Sequence, residues 1–178
     1  MSRKRQDLME RAEVLFYENG FHGVGLKRVV SEAGVALMTL YNHFESKEDL
    51  IMAVLTGREE RYFSLLNKAV EAENSDNQAD IAMLLAKSHI NWLRTEGKNG
   101  CMFLRAKEEY TFENEDIVNQ VIAHKETLIS FFQKHNITKN QAVQLTMLLE
   151  GATALAEVGD LENVENNLYS LVKMVFEK

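Results

Sequence analysis

Several features are scarce or missing in this 178-residue sequence. It contains no proline and a single cysteine, Cys101. Without proline nothing forces a break inside a helix, and one cysteine cannot form an internal disulfide, which is typical of a reducing compartment. No apolar run approaches the roughly 18 residues of a membrane span, and the first residues lack the apolar core of a signal peptide. We therefore expect no membrane insertion, and a cytoplasmic location.

Signatures of enzymes and metal sites are also missing. The five histidines form no HExxH pattern, and none follows a glutamate by three residues, so zinc and di-iron helix-bundle sites are not indicated. There is no GxSxG and no P-loop, and GFHGVG at 20–25 is not the dinucleotide fingerprint. Adjacent Glu108 and Glu109 point in different directions of a helix, and we interpret them as a solvated face. The sequence thus predicts no enzyme activity, cofactor or metal.

The residues that are present indicate an all-helical protein. Hydrophobic content is 46% and charged content 26%, which is ordinary globular composition. Leu8, Ala12, Leu15 and Phe16 follow helical spacing along one face. Continued along the chain, such patterns and the glycine- or asparagine-rich breaks between them predict nine helices and no strands. The predicted ranges are about 4–19, 26–33, 36–42, 47–72, 78–95, 101–110, 115–135, 139–158 and 161–177.

The most informative segment is AGVALMTLYNHFESKEDL at 33–50. Residues 33–35 can form a tight corner between helices, since Gly34 tolerates a positive φ. A short helix follows that presents polar groups from an otherwise apolar stretch, and Ser46 with Asp49 has the spacing of a capping box for the next helix. A short polar helix held between two packed helices fits a DNA major groove.

The same region carries a family resemblance. Residues 8–55 resemble the N-terminal domain of TetR-type transcriptional regulators; beyond about residue 60 the chain resembles them only in size and helical layout. The matching residues are Leu8, Ala12, Leu15, Phe16, Gly20, Phe21, Ala33, Gly34, Val35, Thr39, Leu40, Tyr41, His43, Phe44, Ser46, Lys47 and Glu48.

The resemblance implies a domain organisation and a function. Residues 1–47 would form a three-helix helix-turn-helix domain, extending to about 61 with the start of the fourth helix. Residues 48–178 would form a helical bundle that binds an effector and dimerises. The expected function is a ligand-responsive repressor that binds a palindromic double-stranded DNA operator as a homodimer.

The resemblance also suggests which residues contact DNA. Tyr41 and His43 resemble the family's phosphate contacts, and Lys47 offers charge to a phosphate. Ala36 and Met38 depart from the family, which usually has Ser or Thr near position 36 and often Gly at 38. The predicted DNA-contacting residues are Lys27, Arg28, Ala36, Leu37, Met38, Thr39, Tyr41, Asn42, His43 and Lys47, of which Leu37, Met38, Thr39 and Asn42 are expected to face bases.

The charge distribution bears on this interpretation. The formal net charge of −7 is unusual for a DNA-binding protein. Residues 1–47 carry seven Lys/Arg and six Asp/Glu, whereas the remainder carries 13 and 21. The acidic excess therefore lies outside the predicted DNA-binding segment, and the basic run at 3–5 adds to the local positive charge.

In the C-terminal part, the resemblance implies an effector pocket. Arg105 requires a partner, which could be Glu108, Glu109 or an anionic ligand. Cys101 can be a redox or electrophile sensor, or a small buried hydrophobe. The candidate pocket residues are Trp92, Cys101, Met102, Phe103, Arg105, Tyr110 and Phe131. For each of them taken singly, a place in the ordinary core is the favoured alternative.

The last two helices are apolar around most of their circumference. Such a surface should be buried, and two hairpins from two chains would make a four-helix bundle. The alternative is that these helices complete the core of the monomer. The candidate dimer residues are Leu148, Gly151, Ala152, Leu155, Leu168, Leu171, Val172 and Val175.

A second function remains open at this stage. The negative net charge, and the departures of Ala36 and Met38 from the family's usual residues, also fit another function. The chain could be a helical small-molecule-binding protein whose N-terminal domain no longer recognises a specific DNA sequence.

Overall fold

The structure, a computed structural model, describes residues 2–73 and 77–177. Within these residues the chain forms nine α-helices and no strand, as predicted. No helix in this part of the chain has the length and apolar character needed to cross a membrane. The helices are α1 (Arg3–Asn19), α2 (Leu26–Glu32), α3 (Leu37–Tyr41), α4 (Lys47–Ala72), α5 (Gln78–Thr95), α6 (Met102–Tyr110), α7 (Glu115–Lys134), α8 (Lys139–Val158) and α9 (Leu161–Phe176).

The helix ends follow local side-chain chemistry. The Thr138 side chain accepts a hydrogen bond from the backbone N–H of Gln141 and caps α8, as predicted. Asp160 caps α9 in the same way. After α7 the backbone reverses through Asn136 at φ 63°, a conformation that asparagine tolerates better than most residues. These caps and breaks explain why the helix bounds were readable from the sequence.

The chain folds into two compact units. The first contains residues up to Glu59 together with Met102–Ile122, and the second contains Glu60–Cys101 and the residues from Ala123 onward. The boundaries fall inside α4 and α7, so the first unit includes α6, which lies far along the chain from α1–α3. The functional division at residue 47 stays a prediction.

Aromatic packing and a buried ion pair hold the first unit together. Phe16 and Phe21 are fully buried with ring centroids 5.3 Å apart. The Arg58 side chain is 6% exposed, donates to the Glu13 carboxylate over 2.8 Å and lies over the Tyr17 ring. Both charges are largely removed from water, so losing one member of the pair should destabilise the fold.

A buried polar network lies within the second unit, where α5, α8 and α9 pack around an apolar core. The Tyr62 hydroxyl lies 2.8 Å from His89 Nδ1, and His89 Nε2 lies 3.1 Å from the Leu149 carbonyl and 3.0 Å from the Thr153 hydroxyl. Since the carbonyl can only accept, Nε2 carries the proton and Nδ1 accepts from Tyr62. Burial lowers the pKa of His89 to about 4, so the ring is neutral at neutral pH.

Candidate nucleic-acid interface

The turn between α2 and α3 is set by hydrogen bonds and one glycine. The Ala33 amide donates to the Val29 carbonyl (2.9 Å) and the Val35 amide to the Val30 carbonyl (3.0 Å). Gly34 between them has φ 65°, the left-handed conformation expected for it. This tight turn makes the connection between the end of α2 and the start of α3 short.

One buried side chain orients the short helix α3. Leu40 is fully buried, so the other faces of this helix point outward. Met38 is 70% exposed and Tyr41 50% exposed. Of the other predicted DNA-contacting residues, Lys27, Arg28, Ala36 and Asn42 are exposed, and Leu37, Thr39, His43 and Lys47 are half-buried. All ten therefore retain a surface that a ligand can reach.

Hydrogen bonds hold the segment that follows α3. The Ser2 hydroxyl, which caps α1, lies 3.3 Å from His43 Nε2. Further along, the Asp49 amide donates to the Ser46 hydroxyl, and the Asp49 carboxylate accepts from the Glu45 amide, both over 3.0 Å. The predicted capping of α4 by Ser46 is thereby confirmed. Ala36 begins α3 without any side-chain cap.

A carboxylate on α6 holds the loop between α1 and α2. Glu109 accepts hydrogen bonds from the backbone N–H groups of Phe21 (3.0 Å) and His22 (2.6 Å). Partial burial acts to raise the pKa of Glu109, but these amides and the His22 ring lower it overall. These contacts show that the interpretation of Glu109 as part of a solvated face was wrong. The partners are more than 80 residues apart in sequence, so no local pattern indicates them.

The histidine in this loop completes the junction. His22 Nε2 lies 2.9 Å from a Glu113 oxygen and its Nδ1 lies 2.8 Å from Glu109, while its ring stacks on Tyr110 at 4.8 Å. The Glu113 contact is the main cause of the raised pKa of His22. Phe21 also meets the Tyr110 ring edge-on.

Arg105 on α6 contacts the end of α1. Its guanidinium donates to the backbone carbonyl of Tyr17 over 2.7 Å. That carbonyl lies in the last turn of α1, where helix carbonyls lack partners within the helix. This contact joins the end of α1 to α6, and the pairing of Arg105 with Glu108, Glu109 or an anionic ligand stays a prediction.

Comparison with known proteins identifies this arrangement. The family model "Bacterial regulatory proteins, tetR family" matches residues 8–54, which contain the turn, α3 and the start of α4. The crystal structure of SCO4454, a TetR-family transcriptional regulator from Streptomyces coelicolor, has a TM-score of 0.85 at 28% identity and covers 98% of this chain and 94% of that chain. This chain belongs to the TetR family.

Curated relatives match part of this TetR-family chain. The HTH-type transcriptional regulator UidR of Escherichia coli strain K12 is 34% identical over 67 residues, 38% of this chain and 34% of that protein. The HTH-type transcriptional repressor KstR2 of Rhodococcus jostii strain RHA1 is 30% identical over 88 residues, 49% of this chain and 43% of that protein. The similarity thus spans about a third of the length of the first of these relatives. Family and fold are those of transcriptional regulators rather than of enzymes.

The candidate effector residues of this TetR-family chain divide between the two units. Met102, Phe103, Arg105 and Tyr110 belong to the first unit, and Trp92, Cys101 and Phe131 to the second.

In the second unit these side chains meet different partners. Trp92 packs edge-on against Tyr62 at 5.2 Å. Cys101 Sγ lies 3.5 Å from Lys125 Nζ, which also donates to the Glu150 carboxylate over 2.6 Å. Sequence reasoning missed Lys125 and Glu150, whose helices give no local sign of the pairing. Phe131 lines a surface groove of about 430 Å³ together with Phe63, Asn67, Ala123, Glu126, Thr127, Ser130 and Lys134.

The candidate dimer residues separate into two groups. Ala152, Leu168 and Val172 are buried in the second unit's own core. Leu155 and Leu171 are 61% and 44% exposed. A groove of about 250 Å³ between α8 and α9 is lined by Met147, Leu148, Gly151, Ala152, Leu155, Asn163, Val164, Asn167, Leu168 and Leu171. Part of the predicted surface therefore completes the monomer, and part faces outward.

Proposed function

We propose that this chain is a ligand-responsive transcriptional repressor that binds a palindromic DNA operator as a homodimer. The observation that carries the proposal is α3: buried Leu40 fixes the helix, while Tyr41, Met38 and Asn42 remain exposed in the segment that the family model matches. A short helix presented in this way suits the major groove. One relative, KstR2, is named as a repressor, and another, FasR of Mycolicibacterium smegmatis, as an activator. We propose repression.

Phosphate contacts flank α3 in this proposal. The Tyr41 hydroxyl and the Lys47 ammonium bind backbone oxygens on one side, and Lys27 and Arg28 on α2 add positive charge. Arg28 is held by Glu32 (3.3 Å) and Asn19 (3.5 Å), so its guanidinium is oriented before DNA arrives. Such contacts position the protein and make its affinity depend on salt.

Dimerisation uses the outward apolar face of α8 and α9. Met147, Leu155 and Val158 on α8 are 69%, 61% and 83% exposed, and Met174 on α9 is 70% exposed. Burying these side chains against the same surface of a second copy would form a four-helix bundle. Two copies also place two recognition helices on successive major grooves, about 34 Å apart on B-DNA.

The effector would bind in the second unit and act through α4. This helix begins beside α3 and continues into the second unit. A ligand that favours another direction of α4 changes the spacing of the two recognition helices and lowers the affinity for DNA by linkage. Candidate effector contacts in that unit are Trp92, Cys101 and Phe131.

A salt titration of DNA binding tests the core of the proposal. Purified protein is mixed with DNA from upstream of its own gene, beside the variants Tyr41→Ala and Lys47→Ala. We expect sequence-selective binding that Tyr41→Ala weakens. Lys47→Ala should reduce the slope of log affinity against log salt by about 2, because each subunit of a dimer loses one phosphate contact. Lys47→Arg is the matched control and should keep the slope.

The opposite result would favour the second candidate. Ala36 provides no cap for α3, and the chain carries a net charge of −7. Weak binding to any DNA, with a flat salt dependence and no effect of Tyr41→Ala, would indicate a helical small-molecule-binding protein whose head no longer reads DNA.

A further inference from the structure

The proposed recognition helix, α3, lacks the side chains that usually contact guanine. Residues 33–44, AGVALMTLYNHF, contain no lysine, arginine, aspartate or glutamate. The commonest specific contact to a G·C pair is an arginine or lysine that reaches the guanine N7 and O6 atoms, and acidic side chains accept from cytosine N4. Neither contact can come from α3. Its reading of bases must use other chemistry.

The first turn of α3 instead presents apolar groups. Ala36 and Met38 are exposed and Leu37 is half-buried. Met38 is the most exposed large apolar side chain among α1–α3, with 70% of its surface open. In helix-turn-helix proteins the first residues of the recognition helix contact base edges. A flexible thioether placed there can adapt its shape to an apolar partner.

The major-groove edge offers one apolar group as a partner. This group is the C5-methyl of thymine; the other edge atoms that proteins read are hydrogen-bond donors and acceptors. A 5-methylcytosine carries the same methyl group at the same position. A polar edge atom buried against Met38 would lose its hydrogen bond to water without replacement, whereas a methyl group loses nothing.

We propose that the first turn of α3 reads the C5-methyl group of a pyrimidine, with Met38 as the specificity-determining contact and Leu37 beside it. The inference rests on the proposed function, since it requires that α3 enters a major groove. It specifies which chemical group the protein recognises in its operator: a pyrimidine methyl group rather than the hydrogen-bonding edge of guanine.

Uracil substitution tests this contact because uracil lacks only the methyl group. Duplexes enriched by the wild-type protein from random-sequence DNA are synthesised with thymine, with deoxyuridine in its place, and with 5-methylcytosine for cytosine. Burying one methyl group changes affinity about fourfold. A dimer with one contact in each half-site should therefore bind the uracil duplex about sixteenfold more weakly. If the methyl group that Met38 contacts in the natural operator belongs to 5-methylcytosine, the duplex with 5-methylcytosine should bind more tightly than the unmodified one.

Two variants assign the effect to Met38. Met38→Ala and Met38→Gln should bind thymine and uracil duplexes with nearly equal affinity, and Gln keeps the length of the side chain without its apolar end. Phe112→Ala is the control, since Phe112 is 99% exposed in the turn after α6 and lies outside α3. It should retain the wild-type ratio.

The outcomes separate the two proposals. Tight selective binding that neither base substitution alters, or a thymine-to-uracil ratio that both Met38 variants preserve, would overturn the methyl contact and leave the proposed regulator function in place. If no duplex is enriched from the random pool, both proposals fail.

Discussion

Acid should destabilise this protein through one buried histidine. His89 accepts from Tyr62 and donates to the Leu149 carbonyl, so the folded state holds the ring in its neutral form. Burial lowers its pKa to about 4 from the ordinary 6.5. Because the folded pKa is the lower one, the unfolded chain takes up a proton first. The stabilisation by His89 is complete above pH 6.5 and is lost as the pH falls toward 4.

The size of the effect follows from the shift in pKa. A difference of about 2.5 between the unfolded and folded pKa values, at about 1.4 kcal/mol per unit, gives about 3 kcal/mol of unfolding free energy. That is a large share of the 5–15 kcal/mol typical of a whole domain. His124, whose pKa burial lowers to about 3, acts in the same direction, so a variant is needed to isolate His89.

The assay is urea unfolding followed by circular dichroism over the pH range from about 4 to 7. We compare wild type with His89→Gln, whose amide can both accept and donate but does not titrate. Between pH 7 and pH 4 the wild type should lose about 3 kcal/mol more than the variant, with a slope that approaches about 1.4 kcal/mol per pH unit near pH 5. His135→Gln, at a less buried position just after α7, is the control and should keep most of the wild-type slope. Equal slopes in wild type and His89→Gln would refute the reasoning.

Two further predictions concern the first unit. Glu109→Ala should speed up hydrogen exchange at the amides of Phe21 and His22, because hydrogen bonds to a carboxylate contribute about 1.5–3 kcal/mol each. Glu109→Gln retains an acceptor and should speed up the exchange less. Unchanged exchange rates in both variants would contradict the assigned contacts. Glu13→Ala should lower the unfolding free energy by about 3–5 kcal/mol, since Arg58 is left buried without this partner. In thermal unfolding, the double variant Glu13→Leu with Arg58→Met should recover much of the lost stability. A double variant as unstable as Glu13→Ala would argue against the ion pair as the cause.

The helices were predictable because their signals are local. Thr138 and Asn136 bound α7 and α8 through caps and dihedral preferences that neighbouring residues reveal, and Gly34 marks its turn in the same way. The exposed face of α3 was also predictable, since a family pattern covers it.

Contacts between distant segments were not predictable. One partner of Arg105 is a backbone carbonyl in α1, and a carbonyl has no residue-specific pattern. Glu109 resembles any exposed acidic residue until the fold brings the amides of Phe21 and His22 to it. The buried state of His89 likewise depends on Tyr62, 27 positions earlier, and on the α8 backbone. Tertiary placement, not local preference, decides these sites.

The discontinuous first unit has a consequence for how the chain is made. Met102, Phe103, Ala106 and Tyr110 are buried, and Tyr110 packs against Phe21. A nascent chain that has emerged only to residue 59 lacks all of these partners. At about 5–20 residues per second, a ribosome needs about 3–13 s to reach residue 122.

During that interval the N-terminal segment keeps apolar surface uncovered. The residues that complete the second unit, from Ala123 onward, are all translated later, so the first unit can be complete before the second. A fragment ending inside α4 stays in this early state permanently. The DNA-reading segment should therefore be expressed with residues 102–122 rather than cut off at its family boundary.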